Sequence, residues 1–119
     1  MKLKLGIKKQ ETEPYIAVEL PDCAAEGDNS IAVGSATSAL SKFSFAEGLE
    51  TIAEGKCSHA AGESSHTYGD YSNAEGWESY AYGKYSHSEG DYTKAYGQAV
   101  HTEGYDTSAV GYAAHAEGT

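Results

Sequence analysis

The chain has 119 residues, 39% of them hydrophobic by type, with Ala and Tyr making up much of that share. This suits one compact unit with a short extension. Eighteen acidic residues against eight basic ones leave a formal net charge of −10, which argues against a basic nucleic-acid-binding face, and no apolar run approaches the ~18 residues of a membrane span.

In chain order, Met1-Lys-Leu-Lys-Leu-Gly-Ile-Lys-Lys has no apolar core of the kind a signal peptide needs. Residues 2–7 alternate apolar and polar and predict a strand. Residues 8–13 are polar and predict a loop. Tyr15-Ile-Ala-Val-Glu-Leu20, between Pro14 and Pro21, predicts a second strand. Within residues 1–23 the lysines balance Glu11, Glu13, Glu19 and Asp22, so the whole acidic excess belongs to the rest of the chain. This first segment shares no repeat with residues 24–119. It is read as an N-terminal capping or docking segment, with Leu3, Leu5, Ile7, Tyr15, Ile16, Val18 and Leu20 as docking candidates. Cys23 and Cys57 are expected to be free thiols.

From Ala24 to Thr119 the chain keeps one register of seven. Thirteen of its fourteen glycines lie on it, and Ser41 stands where one glycine is due. Ala, or occasionally Ser or Thr, precedes each glycine by two, and Ser or Thr follows most of them by three. A coiled coil would need large apolar residues at two positions of each heptad, and a glycine per heptad costs a helix about 1 kcal/mol each time. Strand geometry fits: Ser/Thr, Ala and Gly alternate with outward residues and are expected to share one tightly packed face. The sevens alternate in kind. One series runs Ile31-Ala-Val33, Phe45-Ala-Glu47, His59-Ala-Ala61 and on to His115-Ala-Glu117; the other includes Ser38-Ala-Leu40, Tyr80-Ala-Tyr82 and Lys94-Ala-Tyr96. The repeat is therefore fourteen residues. The fold expected is all-β, a parallel β-roll solenoid of about seven coils with two short strands each, spanning residues 24–119.

Asn29-Ser-Ile-Ala-Val-Gly34 resembles the Asn-Ser-Val-Ala-Ile-Gly signature of trimeric autotransporter adhesin heads. Ser86-His-Ser-Glu-Gly90 resembles the Ser-His-Ala-Glu-Gly variant of phage fibre and related bacterial proteins. The resemblance spans residues 24–119. It implies a left-handed parallel β-roll that assembles as a homotrimer, with the positions of the signature's Val and Ile turned to the trimer axis. The trimer-axis candidates are then Ile31, Val33, Phe45, Glu47, His59, Asn73, Glu75, His87, Glu89, His101, Glu103, His115 and Glu117. Energetics point the same way. An interior of Ala and Ser buries little apolar area, against roughly 1–2 kcal/mol of backbone entropy for each ordered residue.

The histidines and glutamates of that set are expected to form an interchain hydrogen-bond ladder, although a ring of three imidazoles could also take a transition metal. Tyr68, Tyr80, Tyr82 and Tyr96 mark the opposite strand, where cross-rung stacking competes with a role as a ligand face for glycans or host proteins. Trp77, Tyr71, Tyr85, Tyr92, Tyr105 and Tyr112 are assigned to turns. No P-loop, dinucleotide fingerprint, zinc spacing or Gly-Gly-x-Gly-x-Asp calcium repeat occurs. No enzyme and no cofactor are expected. The expected role is a structural virion protein assembled in the host cytoplasm: a capsid decoration spike or head fibre docked on capsid or another virion protein through residues 1–23. The alternative is an adhesin or tail-fibre segment, on a bacterial or virion surface, that binds a host receptor or glycan. Neither reading involves nucleic acid or membrane.

Overall fold

The structure, a computed structural model, describes residues 6–8, 17–19 and 22–119. These residues are all-β with no helix, and from residue 24 on they wind as a parallel solenoid of about seven coils. Each coil contributes one long and one short strand. The long strands are β4 (Ile31–Ser35), β6 (Phe45–Leu49), β8 (His59–Glu63), β10 (Asn73–Trp77), β12 (His87–Asp91), β14 (His101–Tyr105) and β16 (His115–Gly118). The short ones are β3 (Ala24–Ala25), β5 (Ser38–Ala39), β7 (Ile52–Ala53), β9 (His66–Thr67), β11 (Tyr80–Ala81), β13 (Lys94–Ala95) and β15 (Ser108–Ala109). Every pairing within the repeat is parallel and in register at fourteen residues, as in His87↔His101 and Ala81↔Ala95.

The repeat register explains the sheets directly. Inward positions hold Ala or a hydroxyl residue, and nine alanines are fully buried: Ala25, Ala32, Ala39, Ala46, Ala53, Ala60, Ala74, Ala81 and Ala95. Val100 is the largest fully buried side chain among the described residues. Such small residues let the two sheets close to a slab whose thinnest extent is 10 Å. The interior is as much polar as apolar, and its hydroxyls pair with one another. Thr67 Oγ1 donates to Ser58 Oγ at 2.8 Å, Ser79 and Thr93 share a bond of 2.8 Å, and Ser88 and Thr93 one of 2.7 Å. At one corner the serines also close the turn. Ser30, Ser58, Ser72 and Ser86 each donate to the glycine carbonyl three residues earlier, at 2.5–2.6 Å.

The glycines divide: Gly27 and Gly55 are buried, as expected of an inward face, whereas those ending the long strands, such as Gly34, Gly48 and Gly76, are exposed. From Gly27 to Gly104 each stands against the corresponding slot of the next coil. A Cβ on Gly76 would lie 2.1 Å from the Gly90 carbonyl oxygen, and one on Gly55 1.9 Å from that of Gly69. Ser41 fills its slot and donates its hydroxyl to the Glu54 carbonyl. Two residues after every slot from Gly27 to Gly111 the backbone is left-handed although no glycine occurs there: Asn29, Phe43, Glu50, Tyr85 and Ala99 are among thirteen such residues in the described chain, with φ of 51–61°. From Ala36 onward their amides donate to the turn carbonyl of the preceding coil, as Ala99 does to Lys84 at 2.9 Å.

Ahead of the repeat, β1 (Gly6–Lys8) pairs antiparallel with β2 (Ala17–Glu19), and β2 runs parallel to β4. The hairpin thus extends the long-strand sheet beyond the first coil and occupies its open edge. These strands fall within or across the ends of the two expected ones and are shorter. Cys23 and Cys57 are free thiols, and Cys23 Sγ donates to the Gly34 carbonyl at 3.4 Å.

Candidate functional site

The outward residues of the long strands form two columns two positions apart. The first reads Ile31, Phe45, His59, Asn73, His87, His101, His115; the second reads Val33, Glu47, Ala61, Glu75, Glu89, Glu103, Glu117. All thirteen trimer-axis candidates therefore lie on one face. At the N-terminal end the face is apolar, with Ile31 38% exposed and Phe45 stacked on His59 at 4.9 Å. Further along it becomes an ionic ladder.

Histidines and glutamates of the two columns pair within the chain, along the stacking direction. His87 Nε2 lies 3.8 Å from Glu75 and 3.5 Å from Glu89. His101 Nε2 lies 3.7 Å from both Glu89 and Glu103, and His115 Nε2 3.9 Å from Glu103 and 3.5 Å from Glu117. His59 Nε2 reaches Glu47 at 3.3 Å, and Asn73 Nδ2 contacts His59 Nδ1 at 3.4 Å. The reason is register: parallel strands put equivalent residues side by side, so each imidazole sits between the carboxylate of its own strand and that of the strand before. Asn73 and Ala61 interrupt the series. A groove runs beside the glutamates, floored by Gly76, Gly90, Gly104 and Gly118, where no side chain rises to fill it.

His66 and Glu54, outside the expected site residues, form the shortest pair among the described residues, 3.0 Å, on the short-strand side. The signal was available. His66 follows Glu54 by twelve residues, the same separation as His59 from Glu47 and His101 from Glu89. His66 also stacks on Tyr68 at 3.6 Å. Burial holds its pKa below the ordinary 6.5, against the opposing pull of Glu54 through hydrogen bond and charge.

The four tyrosines gather as expected. Tyr68, Tyr82 and Tyr96 stack at 4.7 and 4.8 Å with planes 7° apart, and Tyr80 lies 5.9 Å from Tyr82. Partial burial raises the phenol pKa of Tyr68, Tyr80 and Tyr82. Because the ring faces of Tyr82 are both spent on stacking, what this column offers outward is mainly hydroxyls and ring edges. The other aromatics line the corners. Tyr71 and Tyr85 stack at 5.3 Å, with the Lys84 ammonium 5.2 Å from the Tyr85 ring. Trp77 and Tyr105, expected in turns, instead end strands β10 and β14. Of the docking candidates, Ile7 lies in β1 and Val18 in β2, paired with each other. Leu3, Leu5, Tyr15, Ile16 and Leu20 lie outside the described residues.

The YadA head domain repeat matches the chain twice, at residues 25–51 and 103–119, near the first and at the last coils. No curated protein matches it. The repeat matches and the parallel solenoid together fit a head-like repeat of the trimeric autotransporter adhesin type.

Proposed function

From a chain built of adhesin-head-like repeats, we propose a non-catalytic, homotrimeric head segment of a surface-exposed adhesin or fibre. The observation that carries this reading is the unbroken fourteen-residue repeat across about seven coils, with the YadA head repeat recognised toward both ends. Three chains associate through their long-strand faces, which carry Ile31, Val33 and Phe45 at one end and the His–Glu ladder along the rest. The rest of the surface is turned outward: the acidic and aromatic corners, where Phe43, Tyr71, Tyr85 and Tyr105 are each about half exposed, and the tyrosine column. Aromatic side chains offer large contact area at low entropic cost, which suits recognition of a host-surface protein or glycan.

Adhesin-head repeats fit this role more closely than capsid decoration, the role expected first from the sequence. The test has two arms. Mass photometry of the purified chain should show three copies; a folded monomer at micromolar concentration overturns the assembly. Fluorescently labelled protein should then attach to host cells and lose attachment on Tyr71→Ser/Tyr85→Ser. Failure to attach, together with incorporation into particles that is lost when residues 1–21 are deleted, would replace adhesion by decoration.

A further inference from the structure

We propose that His87, Glu89 and His101 form a binding site for a divalent transition-metal ion such as Zn²⁺. All three residues come from one chain, so the site does not depend on the trimer or on adhesion. Their ligand atoms lie within 4.8 Å of one another. The parallel register places His87 beside His101, with rings 4.8 Å apart and planes 15° from parallel. Glu89 stands between them and turns one carboxylate oxygen to each Nε2, at 3.5 and 3.7 Å. Those separations are long for hydrogen bonds, whose N···O distances run about 2.7–3.2 Å. They approach the ~3.3 Å expected between two ligands that each bind a tetrahedral ion at about 2 Å, and rotation of the partly exposed imidazole and carboxylate side chains closes the remaining span on binding.

Two further observations point to a cation. The Nε2 atoms of His87 and His101 are both covered from solvent, and neither has a hydrogen-bond partner. Lone pairs on neutral imidazoles are favoured metal ligands. In addition, Glu75, Glu89, Glu103 and Glu117 stack directly beside one another in register, where like charges oppose each other and a bound cation relieves the repulsion. Two imidazoles and one carboxylate suit Zn²⁺, Cu²⁺ or Ni²⁺ better than Mg²⁺ or Ca²⁺, which take oxygen ligands. Glu75 and Glu103 flank the site and can supply a fourth ligand in place of water. The neighbouring group of Glu103, His115 and Glu117 brings only one imidazole and is more exposed, and the His115 ring is turned 70° from His101. It is the weaker candidate.

The experiment is calorimetric titration of the full chain with Zn²⁺. The chain carries no affinity tag and has Cys23→Ser and Cys57→Ser to remove rival thiolates. One ion per chain is expected, undisturbed by equal Mg²⁺, with affinity at least about tenfold weaker in His101→Ala and in Glu89→Gln and unchanged in His59→Ala. In the unsubstituted histidine background, Zn²⁺ should move the imidazole NMR signals of His87 and His101 and leave His66 in place, a readout that does not depend on any variant folding. Absence of binding, equal weakening by His59→Ala, or unmoved signals from His87 and His101 would overturn the site.

Discussion

Two residues at different corners of the roll meet opposite demands. Gly76, at φ 118°, cannot accept a side chain, because its Cβ would lie 2.1 Å from a backbone oxygen that the stacking of coils holds in place. Gly76→Ala should cost about 3 kcal/mol or more, by strain and overpacking together. Ala99 adopts the left-handed region at φ 58° with its side chain exposed and its amide bonded to Lys84. An L-residue there costs roughly 1–2 kcal/mol that glycine avoids, less the entropy glycine adds to the unfolded chain. Ala99→Gly should therefore raise stability by about 0.5–1 kcal/mol, while Ala99→Val should lower it; thermal unfolding measures both. His66 supplies a pH dependence. Its folded pKa is depressed by burial, so on acidification the unfolded chain takes up a proton before the folded chain does. The stability that neutral His66 supports is present above pH ~6.5 and is lost as pH falls from there to the lower folded value. Denaturant titrations from about pH 7.5 to 5.0, bracketing the ordinary histidine range, should show a smaller decline for His66→Gln than for the unsubstituted chain, and parallel curves would refute this.

Strands of two and five residues are too short to persist alone, and each is held by the coil before and the coil after it. Inside, a hydroxyl takes the place that a larger apolar side chain has in thicker folds. Ser58 Oγ donates to Gly55 and accepts from Thr67, both fully enclosed. Ser58→Ala leaves the Thr67 hydroxyl without its partner, and should cost about 1–3 kcal/mol, measurable as a lower denaturation midpoint. The strand series, the inward alanines and the outward columns were legible because a coil closes every fourteen residues and allows only small side chains inside. Which sheet carries the longer strands was not legible, since the corner geometry settles that. The left-handed corners were also hidden. Asn29, Phe43, Cys57 and Tyr85 share no chemistry, and their conformation is imposed by the stacking of one turn on another rather than by residue type. The ladder's columns could be read from spacing, and the pairing within one chain follows from the parallel register. The family resemblance suggested contacts between chains, and parallel register brings Glu89 to both His87 and His101 within one chain.

As a whole the molecule is a stack in which each coil meets only its neighbours, so its stability is a sum of repeat and interface terms. With an interior no thicker than an alanine or a serine, each chain buries little apolar surface of its own. The proposed trimer should unfold at temperatures that rise with protein concentration, and an unfolding midpoint independent of concentration would argue that one chain suffices. The glycine contacts add a constraint of another kind. Because every slot rests on the equivalent slot one coil away, length is quantised. Removing residues 73–86 as a block would bring His59 beside His87 and leave a shorter, otherwise equivalent stack. Removing seven would shift every later residue to the opposite sheet, setting His87 among the tyrosines and Tyr96 among the glutamates. Such a chain can be lengthened or cut only in steps of fourteen, which makes reach, rather than contact chemistry, the property that this architecture can change most freely.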